Sequence, residues 1–236
     1  MILTRGQEDI EKDRKYFEEF GFEVVPLPMI RSLSLDFVLS EDTYDWVLFQ
    51  SVRSVKYFLK RHPIPPGSKI IAVGDKTRRF IEETGYSVFA VPRDRSASGM
   101  VEFMKGMKRG KVLIPRSAKG LRTLIDGLAE LGFHVVDIPV YDLETVTYPS
   151  GYVEDVLKEG GFLVFASPSA VNALFENLQK PSNLRSAKGL VVVAIGKTTK
   201  KELRKMGVEG VLMPSEPLME EVARTVWEFW HNNCTL

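Results

Sequence analysis

Six short segments carry the residues best suited to chemistry. They are Thr4-Arg5, Ser51-Val52-Arg53, Gly74-Asp75-Lys76-Thr77, Arg116-Ser117, Ser167-Pro168-Ser169 and Gly196-Lys197-Thr198-Thr199. Each follows an apolar run and opens a helical pattern. Hydroxyls there cap helices, and helix N-termini present free N–H groups with partial positive charge. Together they suit an anionic ligand, each terminus contributing about 0.3–1 kcal/mol when exposed. The candidate binding residues are Arg5, Ser51, Arg53, Thr77, Arg116, Ser117, Ser167, Ser169 and Lys197. Capping alone explains any single one of them; the set carries the functional reading.

Other chemistries are excluded. Gly196-Lys197-Thr198 imitates the end of a phosphate-binding P-loop, but the glycine required five positions earlier is Val191. No Gly-x-Gly-x-x-Gly follows a strand. A phospho-acceptor receiver needs acids at its first strand end, where Thr4 and Arg5 stand. The single cysteine, Cys234, excludes a disulfide framework and is expected to be a free thiol on a frayed tail. His62, His134 and His231 lack metal-ligand spacing. Acidic clusters such as Glu8-Asp9-Glu11 and Glu220-Glu221 read as solvated helix faces.

The elements that position these segments alternate. Short apolar runs predict strands at Met1–Leu3, Val47–Phe49, Ile70–Val73, Val88–Val91, Val112–Ile114, Val135–Ile138, Leu163–Phe165, Leu190–Ile195 and Val211–Met213. Unbroken apolar residues suit strands buried on both faces. Between them Ile10, Phe17 and Phe20 share one helical face, and so do Leu121, Leu124, Ile125, Leu128 and Leu131. Gly21, Gly85, Gly132 and Gly207 stand where helices end. Such alternation predicts parallel α/β sheets flanked by helices.

The order of elements occurs twice. LTRGQ…EEFGFEVVPLPMI from Leu3 resembles IPRSA…AELGFHVVDIPVY from Ile114, with Arg5 on Arg116 and Gly21 on Gly132 at an offset of 111. Ser51 falls on Ser167 at 116, and Gly74, Thr77, Gly85 and Pro92 fall on Gly196, Thr199, Gly207 and Pro214 at 122. A period above about one hundred residues means duplicated domains, not a solenoid. The 236 residues hold two small domains comfortably. A net charge of +1 gives no argument for nucleic acid or an acidic membrane. The early charged residues in MILTRGQEDIEKDRK lack a signal peptide's apolar core, and no apolar run spans a membrane. A cytoplasmic protein is expected.

The segments VLFQSVRSVKYF, IAVGDKTRRFIEETGY, PRSAKGLRTLIDGLAELGFHVVDIPVYDL, FLVFASPSAVNALF, VAIGKTTKKELRKMGVEG and MPSEPLMEEV, in this order, resemble the uroporphyrinogen-III synthase family over nearly the whole chain. The resemblance implies two flavodoxin-like lobes with a cleft between them. Residues 1–27 and 142–236 would form the first lobe and 35–134 the second, joined by linker strands at 28–34 and 135–141. It implies a lyase that cyclises the linear tetrapyrrole hydroxymethylbilane to uroporphyrinogen III, through a spiro-pyrrolenine intermediate, with ring D inverted, water lost and no cofactor. The partner is that small molecule, not nucleic acid or membrane, and a monomer is the default. Tyr141 matches the family's tyrosine, and Thr198 and Thr199 its threonine pair; these three are the catalytic candidates. Lys197 and Lys200 depart from the proline and alanine that the family often has there. Two rivals remain open: a two-lobed binder of small anions without catalysis, and a regulatory derivative of the fold.

Overall fold

The computed structural model describes residues 1–40, 43–120, 122–180, 184 and 189–234. The strands are β1 (Ile2–Leu3), β2 (Val25–Pro26), β3 (Ile30–Ser34), β4 (Trp46–Phe49), β5 (Lys69–Ala72), β6 (Val88–Ala90), β7 (Lys111–Ser117), β8 (His134–Thr145), β9 (Gly161–Phe165) and β10 (Leu190–Ala194). The helices are α1 (Gln7–Glu18), α2 (Val52–Leu59), α3 (Asp75–Glu83), α4 (Ala97–Met104), α5 (Thr123–Glu130), α6 (Tyr152–Lys158), α7 (Pro168–Asn177), α8 (Lys197–Lys205) and α9 (Met219–Cys234). The chain divides into two compact units, Met1–Arg31 with Glu144–Leu236, and Ser32–Leu143. Residues of the expected linker strands are thereby shared between the units.

In the first unit the sheet order is β10-β9-β1-β2, all parallel. Burial on both faces follows from alternation within apolar strands. Leu163 and Phe165 of β9 enter a core with α6, α7 and Leu203 of α8, whereas Phe162 and Val164 enter another with Ile10 and Phe17 of α1 and Val222 and Val226 of α9. Each such side chain contributes about 1.5–3 kcal/mol of transfer free energy.

In the second unit the order is β3-β8-β7-β4-β5-β6, with the pairs from β8 to β6 parallel. Val47 and Phe49 of β4 face Val55 and Phe58 of α2 and Ile81 of α3. Trp46 and Leu48 face Met100 and Met104 of α4 and Leu124, Ile125 and Leu128 of α5. Gly127 admits this α4–α5 packing, since a Cβ there would lie 2.8 Å from Val101 Cγ2.

Several expected elements change. Val211–Met213 provides only an isolated bridge, Val193 to Leu212. The stretch Val24–Ile30 breaks into β2 and the start of β3, because Pro26 and Pro28 cannot donate to a ladder; Pro26 is tolerated because β2 is an edge strand. The chain around Cys234 is the end of a 16-residue helix rather than a frayed tail. Leu121 lies outside the described residues. Among the described residues no helix is long and apolar enough to cross a membrane.

Candidate functional site

Parallel strands place all their carboxyl ends on one edge of a sheet, so the turns picked out in the sequence gather by unit. In the first unit they follow β1, β9 and β10. Thr4 is fully buried and its hydroxyl donates to Val164 O at 2.7 Å. Arg5 Nη1 donates to Asp13 Oδ2 at 2.5 Å, and Nη2 lies 3.6 Å from Asp9. Gly6 opens α1, where a Cβ would stand 3.2 Å from Ile30 O. Ser167 caps α7: its Oγ accepts from Ala170 N at 3.3 Å and lies 3.0 Å from Ser169 Oγ on the exposed side. Gly196 opens α8 in extended conformation. Lys197 and Thr198 are exposed there, and Thr199 is buried at 1%. The threonine pair thus splits into a solvent-facing and a core-facing hydroxyl.

In the second unit the Ser51 and Gly74 turns follow β4 and β5, whereas Arg116-Ser117, expected to open a helix, is the end of β7, and α5 begins only at Thr123. Ser51 caps α2, accepting from Ser54 N at 3.1 Å, and Arg53 is half-buried in its first turn. Gly74 opens α3 and Thr77 is buried. Arg116 Nε and Nη2 both reach Asp137 Oδ2, at 2.8 and 2.7 Å, while Nη1 donates to Ser117 O and Ala118 O at 2.8 and 3.0 Å. Ser117 stands opposite Tyr141 in the β7–β8 register, and Tyr141 O accepts from Ala118 N at 2.8 Å. The Ser117 hydroxyl is buried with no hydrogen-bond partner. The Tyr141 ring is buried and stacked on Tyr57, centroids 5.3 Å apart at 20°. Tyr57 is fixed in turn by donating to Ser32 O at 3.1 Å.

The two duplicated arginines differ from expectation in their first task. Arg5 and Arg116 are each bound to an aspartate of their own unit, which orders the segments that carry them. Within the second unit the structure brings Ser117 and Tyr141 side by side; within the first it brings Ser167 and Ser169 together. Sequence reasoning missed Asp13, Asp137 and Tyr57. Asp137 had a signal, a charged residue interrupting the apolar run of β8; Tyr57 reads as core in any helical pattern. Just past β8, Tyr148 was also missed. It donates to Pro28 O at 2.9 Å, and burial holds its pKa above the ordinary phenol value, helped by the neighbouring Tyr152. Among the described residues no group of His, Cys, Asp and Glu side chains is arranged to hold a metal.

The model of the family Uroporphyrinogen-III synthase HemD matches residues 11–224. The chain belongs to the uroporphyrinogen-III synthase family. Among its relatives is the uroporphyrinogen-III synthase of Chlorobaculum parvum, 26% identical over 230 residues and covering 91% of this chain and 92% of that one. The chloroplastic uroporphyrinogen-III synthase of rice is 23% identical, covering 97% and 80%. In fold the chain is similar to uroporphyrinogen-III synthetase from Helicobacter pylori, with TM-score 0.66 at 16% identity over 89% and 92% of the chains. It is likewise similar to a mutant uroporphyrinogen III synthase from Thermus thermophilus, with TM-score 0.60 at 20% identity over 97% and 96%. Membership in this synthase family does not favour the reading as an anion binder without catalysis.

Proposed function

We propose that the chain converts hydroxymethylbilane to uroporphyrinogen III with loss of water, as a hydro-lyase. The observation that supports this best is the family match across residues 11–224, which spans every one of the turns except the first. Each pyrrole of the substrate carries an acetate and a propionate. Helix N-termini at Ser51, Gly74, Ser167 and Gly196 are suited to such carboxylates.

The chemical problem is one of geometry. The bilane closes unaided to the unrotated isomer, so the enzyme must hold it folded with the substituted carbon of ring D poised for attack. Positioning of this kind supplies up to about 7–11 kcal/mol. In this reading Tyr141 gives a proton to the departing hydroxyl, which leaves as water. The proton lost when the closing ring regains aromaticity returns to the tyrosine oxygen, so no proton is consumed. Stacking on Tyr57 holds the Tyr141 ring, and the buried Ser117 hydroxyl lies beside it without a hydrogen-bond partner among the described residues. Thr198 contacts substrate, while Thr199 and Thr77 hold their turns from below.

Freshly made hydroxymethylbilane, with product isomers separated, tests the reading. Type III product above the spontaneous background is expected; only the type I isomer would overturn it.

A further inference from the structure

Along the outer edge of the six-stranded sheet, β6 and α3 border an open groove of about 490 Å³. One wall is a single face of α3, with Asp75, Arg78 and Glu82. The other runs along β6, past Phe89, to Arg93 and Arg95. Three arginines therefore meet two acids. Arg95 is bound to Asp75, and Arg78 Nε lies 3.7 Å from Glu82. Arg93, exposed at the carboxyl end, has no acidic partner among the described residues. The groove keeps one surplus cation at the edge where the turns of Gly74 and Ser51 lie.

The duplication supplies a second, independent observation. At the offset of 122, Asp75 falls on Lys197, Arg93 on Ser215 and Arg95 on Pro217. The structure gives Arg95 and Pro217 the same place. A Cβ on Gly74 would lie 3.5 Å from Arg95 Cδ, and a Cβ on Gly196 would lie 3.6 Å from Pro217 Cβ. Pro217 shows that covering the helix N-terminus needs no charge. At the head of α3, Asp75 stands in place of Lys197 and the exposed Lys76 in place of Thr198, and two arginines appear on the covering loop. Positive charge persists at both turns while the residues bearing it move, as a demand for an anion rather than for packing would produce.

We propose that Arg93 and Arg95 form a carboxylate subsite for the substrate, the second unit's counterpart of Lys197. The inference rests on the tetrapyrrole reading above. Arg93 presents its fork directly to a carboxylate. Arg95 shares its guanidinium between Asp75 and the ligand, and Asp75 keeps it extended over Gly74.

The test uses the full chain with R93Q, R95Q and the control K108Q, which removes an exposed cation outside the groove. For type III formation, R93Q and R95Q should each raise KM about fivefold with kcat nearly unchanged, as for loss of uniform binding through a partly exposed ion pair. K108Q should leave KM as it was. Equilibrium binding of uroporphyrin III, a fluorescent octacarboxylate, should weaken by a similar factor in the two arginine variants. Unchanged KM and uroporphyrin affinity, or a shift matched by K108Q, would overturn the subsite. Should the wild type form no type III isomer while Arg93 still governs uroporphyrin binding, the activity reading fails and the carboxylate subsite stands. R93Q leaves the Asp75–Arg95 pair intact, so its result does not depend on the stability of α3.

Discussion

The turn that opens α3 and the turn that opens α8 are built alike and finished differently. Both begin at an extended glycine, φ −165° at Gly74 and −169° at Gly196, and both bury a threonine two residues into the helix, Thr77 and Thr199. Both helices end before a glycine with φ of +90° or +75°, Gly85 or Gly207. The scaffold is the same; the charge is not. One helix starts with Asp75 tied to Arg95, the other with an exposed Lys197 and Thr198. A duplicated fold thus keeps what packing requires and varies the charge that it exposes.

The same contrast holds between β3 and β8. At the offset of 111, Tyr141 corresponds to Ile30. An apolar residue suffices at one copy, while the other carries a hydroxyl on a ring braced by Tyr57. In the proposed function the chemistry belongs to one copy. The sharpest way to break this assignment is Tyr141→Phe, which keeps the stack. Turnover should fall about 10- to 100-fold, at or below the usual range for loss of a general acid, with the melting temperature nearly unchanged. Unaltered kcat would remove Tyr141 from the mechanism.

The paired arginines sharpen the comparison through stability. Arg116 is 11% exposed at its side chain and Arg5 is 27% exposed. Arg116→Gln leaves Asp137 only Arg122 among the described residues, at 4.0 Å, and should destabilise by about 2 kcal/mol, below the 3–5 typical of fully buried pairs because both groups retain some solvent. Arg5→Gln should cost about half as much, since exposure screens it more. Denaturant midpoints of the two variants decide this; equal losses would show that exposure does not set the difference.

The smallest expected contrast lies at the serine caps. Ser51 and Ser167 share φ and ψ within a few degrees, −162° and 157° against −161° and 154°. Ser51→Ala and Ser167→Ala should each cost about 1 kcal/mol, lowering the melting temperature by roughly 2–4 °C in a chain of this size. Equal stability losses with unequal turnover would single out one serine as a substrate contact rather than a cap.

Much of this architecture could be read directly. Apolar runs and helix-ending glycines placed β4, β5 and β10 within a residue of their ends and β9 within two, because strands buried on both faces leave no room for polar interruption. Of the six segments, those at Ser51 and Ser167 were visible because side-chain capping imposes residue type at fixed positions; Arg116-Ser117 ends a strand and caps no helix. The failures share a cause. Val211–Met213 is apolar enough for a strand, yet Leu212 finds only Val193 as a bridge partner. Local pattern does not report whether a neighbouring strand is there. Nor could sequence tell that Arg5 and Arg116 are already engaged, since Asp13 and Asp137 meet them only after helix and strand have formed. The stack of Tyr141 on Tyr57 joins residues 84 apart in sequence and follows no periodicity.

The chain order of the two units has a consequence for synthesis. Ser32–Leu143 is one uninterrupted stretch and can complete its core as soon as it leaves the ribosome. The N-terminal strand cannot: Thr4 bonds to a carbonyl 160 residues downstream, and Ile2 and Leu3 pair with Leu163 and Val164. β1 must therefore wait, unpaired at one side, until β9 emerges, so the uninterrupted unit folds before the unit built from two stretches of chain.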